Sequence, residues 1–179
     1  MAADSFPLKT SRLWLKKFVE TDLHYVFQGL SHPSVIRYYG VNFESLEETK
    51  SQMQWFDQLE REETGIWWAV YSSDGLNFLG GVGFNNLSKD HKKAEIGFWL
   101  LPEYWGMGLM QEATELAISY AFDILQIHRI EAIVECENKN SLSLLNKLNF
   151  RLEGTLQDYE IKNGAFITVK IYAKFNSTY

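Results

Sequence analysis

A short loop with two glycines separates a predicted strand from a predicted helix in the middle of the chain. The strand covers Ala94 to Leu100, the loop carries Gly106 and Gly108, and the helix begins at Leu109. The start of a helix has free backbone N–H groups and the positive end of the helix dipole, which together favour a phosphate. Glycine has no Cβ, so its backbone can approach an anion closely. The loop therefore indicates either a phosphate-bearing cofactor or a tight strand-to-helix turn.

Two common phosphate-binding motifs do not fit this loop. A P-loop has a Lys-Ser/Thr pair after its last glycine, but Leu109 and Met110 stand there. A dinucleotide fingerprint has a third glycine where this chain has Gln111. The loop alone leaves the identity of the cofactor open.

The composition is typical of a packed globular protein. The chain has 179 residues, of which 46% are hydrophobic, so residues 1–179 are expected to form a single domain. The one cysteine, Cys136, excludes an internal disulfide. We expect a cytoplasmic protein with no membrane partner, because no apolar run approaches about 18 residues and no signal peptide is recognisable. The net charge of −6 argues against nucleic acid, and the scattered histidines argue against a metal.

Hydrophobic periodicity predicts an α+β fold with a mixed sheet. A strand–helix–strand crossover makes the strands Ala94–Leu100 and Ile130–Cys136 parallel. The predicted elements are a strand at Leu13–Phe18, a helix capped by Thr21 or Asp22, helices that begin near Pro33 and Leu46, an antiparallel meander of Ile66–Tyr71, Phe78–Phe84 and Ala94–Leu100, a helix at Leu109–Ile124, a strand at Ile130–Cys136, a helix from Asn140 to Leu148, and a hairpin of Leu152–Leu156 and Ala165–Lys174 around Asn163 and Gly164.

Several ordered motifs over nearly the whole chain resemble the GNAT superfamily of N-acyltransferases. The stretch from Trp105 to Ala113, after the strand with Glu95, looks like the acyl-CoA pyrophosphate loop of that family. Other segments resemble its RimJ/RimL-type branch of ribosomal-protein N-terminal acetyltransferases. Those segments are Arg12–Leu15 with Asp22, Tyr120–Phe122, Ile127–Ala132, Glu137–Ser141 and Lys147–Gly154. The resemblance implies acetyl-CoA as cosubstrate and a GNAT-type acyl-CoA N-acyltransferase fold with splayed central parallel strands.

The resemblance also implies which residues hold acetyl-CoA. The strands with Glu95 and Ile133 would separate into a V-shaped cleft for the pantetheine arm, and backbone N–H groups of the loop would bind the pyrophosphate. Asn138 would bond the pantetheine or cap the following helix. The residues assigned to cofactor binding are Phe98, Trp99, Leu100, Trp105, Gly106, Met107, Gly108, Leu109, Met110, Gln111, Asn138 and Ser141.

Some positions depart from the family pattern. Met110 stands where Gly or Ala is usual, and Asn149 replaces the glycine before Phe150. Leu145 occupies the place of the general-acid tyrosine of many members, so a tyrosine donor at that place is excluded. These departures leave open a module that binds CoA as a sensor without efficient turnover.

The implied reaction is direct attack of a neutral amine on the acetyl thioester. Glu95 and Glu160 are the two candidates for the general base, each on a strand where the resemblance places carboxylates. Ser141 is the candidate proton donor to the leaving thiolate, or else a residue that caps the helix after Asn140. A backbone N–H near Phe98 or Trp99 would stabilise the oxyanion.

The pKa of the amine favours one class of acceptor. A protein α-amine has a pKa of about 7.7–8.0 and needs only a modest base, whereas a lysine amine has a pKa of about 10.4. We therefore predict transfer to the N-terminal α-amine of a protein or peptide, with a polyamine, amino acid or antibiotic as the alternative. The aromatic residues that line the acceptor pocket or pack in the core are Trp55, Trp67, Trp68, Phe84, Trp99 and Tyr104. A monomer and a homodimer are both compatible with the sequence.

Overall fold

A seven-stranded mixed sheet is the centre of the computed structural model, which describes residues 8–177. The strands are β1 (Leu13–Lys17), β2 (Ile66–Ser72), β3 (Phe78–Ser88), β4 (Lys93–Leu100), β5 (Arg129–Glu135), β6 (Arg151–Lys162) and β7 (Ala165–Phe175). The helices are α1 (Leu23–Leu30), α2 (Pro33–Ile36), α3 (Leu46–Arg61), α4 (Leu109–Asp123) and α5 (Lys139–Lys147). The strand order is β1-β2-β3-β4-β5-β7-β6, with β4 and β5 parallel. The predicted α+β fold with a mixed sheet is confirmed.

Two strands run further than their hydrophobic pattern predicts. β3 continues past Phe84 to Ser88, and β6 continues past Leu156 to Lys162. The added residues are exposed or half-buried and mostly polar, so they lack the apolar alternation that marks a half-buried strand. The turn between β6 and β7 lies at Asn163 and Gly164 as predicted, and both have the positive φ values, 51° and 78°, that an Asn-Gly hairpin turn requires.

The two faces of the sheet pack in two separate cores. Successive side chains of a strand point to opposite faces. Trp68 therefore packs with α4 and α5, while Trp67 packs with α1 and α3. Trp68 and Phe84 both lie in the first core, in edge-to-face contact with ring centroids 6.3 Å apart. Of the two predicted alternatives for this pair, core packing is correct.

Asp22 does not cap α1 with its side chain. Its carboxylate instead accepts a hydrogen bond from the backbone N–H of Val19 at 3.0 Å and another from the Tyr71 hydroxyl. Burial, together with the bond to this carboxylate, raises the pKa of Tyr71, so the phenol stays protonated as the donor. Asp22 thus stands at the N-cap position, as one of the two predicted alternatives, but the capping bond is missing because its side chain ties the chain before α1 to β2.

The parallel strands β4 and β5 are paired over only a short length. Their ladder ends where Glu95 lies opposite Glu131. Beyond that point residues 96–100 pair with β3 alone, and residues 132–135 pair with β7 alone. The predicted separation of the central parallel strands is confirmed, and it leaves two strand edges facing each other across a gap.

Within residues 8–177, no helix has both the length and the apolar character needed to cross a bilayer.

Candidate active site

A cleft of about 1570 Å³ opens between the separated strands. Its walls come from β4 and β5, its ends from the glycine loop and the start of α5, and its roof from α2 and α3. Of the twelve residues assigned to cofactor binding, all except Met107 line this cleft. The structure thus brings together a set of residues that the sequence spreads over positions 98–141.

The loop before α4 has the conformation that its glycines were expected to allow. Gly106 and Gly108 have φ values of 77° and 73°, in the left-handed region that favours glycine. A Cβ built on Gly106 would meet no atom within 4 Å, so the backbone there is open to a ligand. The indole Nε1 of Trp105 donates to the Leu100 carbonyl at 2.9 Å, which fixes the loop against the end of β4.

A salt bridge that the sequence analysis missed holds the other side of this loop. The Arg12 guanidinium donates two bonds to the Glu112 carboxylate, the one from Nε being 2.7 Å long. Its Nη1 donates to the Met107 carbonyl at 3.1 Å, and the Thr10 hydroxyl also donates to Glu112. Arg12 comes just before the edge strand β1, so 100 residues separate the two ends of this bridge.

These features fit a cofactor that carries a phosphate and an extended amide-containing arm. The N-terminal residues of α4, Leu109 to Gln111, line the cleft, and the free N–H groups of a helix start bind phosphate. The facing edges of β4 and β5 have backbone groups without a strand partner, which can bond the amides of such an arm.

Glu95 lies at the point where the cleft begins. Its side chain is half-buried, and its Oε2 accepts a hydrogen bond from Asn86 Nδ2 at 2.9 Å. Asn86 has a φ of 50° within an irregularity of the β3–β4 ladder, which lets it reach the carboxylate. Its neighbour Asn85 is the cross-strand partner of Glu95. Glu160 lies exposed on β6 and is not among the residues that line the cleft.

Asn138 and Ser141 stand together at the start of α5. The Asn138 side chain accepts a hydrogen bond from the backbone N–H of Ser141 at 3.2 Å, so Asn138 caps the helix as one of the two predictions required. Because Asn138 supplies the cap, the helix does not require the hydroxyl of Ser141 as a capping group. Both residues also line the cleft.

Four of the six aromatic candidates line the cleft: Trp55, Trp67, Trp99 and Tyr104. Polar residues that the sequence analysis missed lie with them. Gln52 is 5% exposed, and Asn85 is half-buried. Burial raises the pKa of Tyr39, which keeps its phenol protonated. Gln52 had a detectable signal, since it is a polar residue on the apolar stripe of α3.

One basic residue bridges the mouth of the cleft. Lys162, at the end of β6, donates to the Arg37 carbonyl at 2.7 Å and to Glu135 Oε1 at 2.6 Å. Arg37 and Glu135 both line the cleft. Among residues 8–177, no three His, Cys, Asp or Glu side chains are grouped so that they could hold a metal ion.

Comparisons with known proteins agree with this geometry. Residues 12–151 match the GNAT acetyltransferase domain. YoaA of Bacillus subtilis, an uncharacterised N-acetyltransferase, is 37% identical over 94% of this chain and 96% of its own length. The spermidine N(1)-acetyltransferase of Escherichia coli is 31% identical over 85% of this chain and 80% of its own length.

A solved structure shares the fold. RimL, a ribosomal-protein alpha-N-acetyltransferase in complex with coenzyme A, superposes with a TM-score of 0.84 at 22% identity and covers 95% of this chain and 97% of its own. The matched domain spans the glycine loop, Glu95 and the start of α5. This chain is an N-acetyltransferase that belongs to the GNAT family.

Proposed function

We propose that residues 1–179 act as a single domain that transfers the acetyl group of acetyl-CoA to the N-terminal α-amine of a protein or peptide. The observation that carries this proposal is the opening of the sheet next to Glu95. A carboxylate at that point stands beside the gap that would receive the acyl-bearing arm, while the start of α4 stands at the far end for the phosphates.

The charges in the cleft favour a peptide over a polyamine. The charged lining residues are Arg37, Lys139 and Lys147 against Glu95, Glu135 and Glu137. Three cations thus balance three anions, and Lys162 pairs with Glu135 in addition. A site for a polycation would need an excess of carboxylates.

The acetyl transfer needs a base, an oxyanion donor and an acid. In our proposal Glu95 accepts the proton of the amine, directly or through a water molecule. A backbone N–H at Phe98 or Trp99 stabilises the oxyanion, and the Ser141 hydroxyl protonates the departing thiolate. Glu160 is the alternative base, and its exposed position on β6 gives it less support than Glu95.

A polyamine is the second candidate acceptor. The relative that is 31% identical is named as a spermidine acetyltransferase, and its similarity covers most of both chains. The RimJ/RimL-type branch itself stays a prediction, so both acceptors need a direct test.

Thiol release during acetylation distinguishes these candidates. We expect saturable binding of acetyl-CoA in calorimetry and CoA release with peptides that have a free α-amine. The same peptides with an acetylated N-terminus are the matched control and should release no CoA. Release with spermidine alone would replace the peptide by a polyamine, and binding without any release would favour the sensor module.

A further inference from the structure

A side-chain amide on α3, in a residue that is almost fully buried, has no hydrogen-bond partner among residues 8–177. Gln52 lies on the stripe of α3 that also contains Thr49 and Phe56, and it is only 5% exposed. Thr49 satisfies its hydroxyl by donating to the Ser45 carbonyl at 2.8 Å. The Gln52 side chain makes no hydrogen bond with any residue from 8 to 177. Gln52 lines the cleft, so its unpaired amide is available to a molecule bound there.

A second amide stands beside the candidate base. Asn85 and Glu95 are cross-strand partners, so their side chains lie on the same face of the sheet. Within the described part of the chain, the Asn85 amide also has no hydrogen-bond partner. Asn85 Oδ1 is 3.9 Å from the Cβ position built on Gly97, which is the residue two positions after Glu95.

Two tryptophans connect these amides. Trp55 follows Gln52 on α3, and its ring centroid is 5.9 Å from that of Trp67. The Trp67 ring packs against Gly97, with Cζ2 2.7 Å from the Cβ position built there. Its indole Nε1 is buried and has no partner among the described residues. We call this cluster of Gln52, Asn85, Trp55 and Trp67 the acceptor subsite.

The chemistry of the subsite selects a particular kind of amine. Its unpaired N–H groups, on Gln52, Asn85 and Trp67, all need an oxygen to accept from them. The carbonyl oxygens of a peptide next to its α-amine supply such acceptors. A protonated polyamine can donate to the amide oxygens of Gln52 and Asn85, but it leaves the N–H groups of all three side chains without an acceptor.

We propose that Gln52 and Asn85 determine acceptor specificity by donating hydrogen bonds to carbonyl oxygens of the peptide whose α-amine lies at Glu95. This inference rests on the proposed function and deepens it. It requires that an acceptor has an oxygen close to the reacting amine, so a simple alkylamine or polyamine is a poor substrate even though its amine fits the cleft.

Two substitutions at one position test whether a peptide acceptor needs the amide donor of Gln52. Gln52→Glu keeps the shape and removes the donor, and Gln52→Leu removes both polar atoms. We expect each to lower kcat/KM for an N-terminal peptide by about tenfold or more, the effect of losing one hydrogen bond to a desolvated group. The KM for acetyl-CoA should not change.

Gln54→Glu is the matched control, because Gln54 lies exposed on the same helix. It should leave both constants unchanged. Asn85→Leu should reproduce the loss in kcat/KM for the peptide, and calorimetry with acetyl-CoA checks that each variant is folded.

Every outcome decides the inference. Unchanged peptide kcat/KM in Gln52→Leu and Asn85→Leu would overturn it while leaving the N-terminal acetyltransferase in place. A rise in spermidine turnover in Gln52→Glu, with no peptide turnover in the unmodified protein, would make the subsite a polyamine site. Absence of turnover with every amine would remove the proposed function, and this inference with it.

Discussion

Glu95 and Glu160 illustrate how a residue's surroundings decide its chemistry. Both are strand glutamates, and the sequence gives them equal standing as bases. In the structure Glu95 is half-buried in the cleft and oriented by Asn86, whereas Glu160 is exposed on an edge strand. A base must lie within reach of the proton that it accepts, so position decides before pKa does.

Glu95→Gln should lower kcat by about 100-fold or more, since a positioned general base contributes at least that much. The Kd for acetyl-CoA, measured by calorimetry, should stay the same, because our proposal places the phosphates at the start of α4, away from Glu95. Glu160→Gln is the matched carboxylate control and should keep kcat within a few-fold of the unmodified protein. Loss of activity only in Glu160→Gln would transfer the base role to β6.

At the scale of elements, local chemistry was predictable and long-range contacts were not. The sequence predicts the glycine loop, the Asn-Gly turn and the cap at Asn138, because each depends on contacts within a few residues. Arg12 and Glu112 lie far apart in sequence, and nothing near either one signals the other. The acidic residue in the first turn of α4 reads as a helix-dipole partner until the fold brings β1 beside it.

The partnership of Arg12 with the loop predicts a defect in cofactor binding. Arg12→Ala removes the bonds to Glu112 and to the Met107 carbonyl, so the loop loses its contact with the chain before β1. We expect the KM for acetyl-CoA to rise about tenfold with little change in kcat at saturation, as for an interaction made equally in ground and transition states.

Arg12→Lys separates charge from geometry in this test, because a lysine keeps the charge but not the planar fork. It should recover only part of the affinity. Lys17→Ala removes another cation of β1, one that pairs with Glu60 at 2.6 Å, and should leave the KM unchanged. An unchanged KM in Arg12→Ala would mean that the loop keeps its conformation without Arg12.

At the scale of the whole molecule, the cleft separates two halves of a sheet that share one hydrophobic core. One half of the sheet consists of β1 to β4, and the other half consists of β5, β7 and β6. The short β4–β5 ladder joins the two halves. Lys162 adds a connection from the far hairpin to the chain just after α2. Nothing in the sequence around Lys162 distinguishes it from other lysines near a hairpin turn. Only the tertiary structure shows that its side chain reaches across the cleft.

Lys162→Met tests this connection, since it keeps the apolar stem and removes the ammonium group. The half-buried pair with Glu135 and the bond to the Arg37 carbonyl are both lost. We expect the free energy of unfolding to fall by about 1 kcal/mol, and amide exchange to accelerate in the β6–β7 turn and α2 but not in α4. Lys89→Met breaks an exposed pair with Glu63 and should change unfolding by less than about 0.5 kcal/mol.

A second substitution identifies which bond of Lys162 holds the hairpin. Adding Glu135→Gln to Lys162→Met removes the carboxylate that the first change leaves half-buried without its cation. Stability should partly recover if that unpaired charge is the main cost, because a neutral amide is cheaper to bury than a carboxylate. The fast exchange at the turn and α2 should persist, because the bond to the Arg37 carbonyl is still missing. Recovery of slow exchange in the double variant would instead show that the unpaired Glu135 carboxylate, and not the missing bond to the Arg37 carbonyl, loosens the hairpin in Lys162→Met.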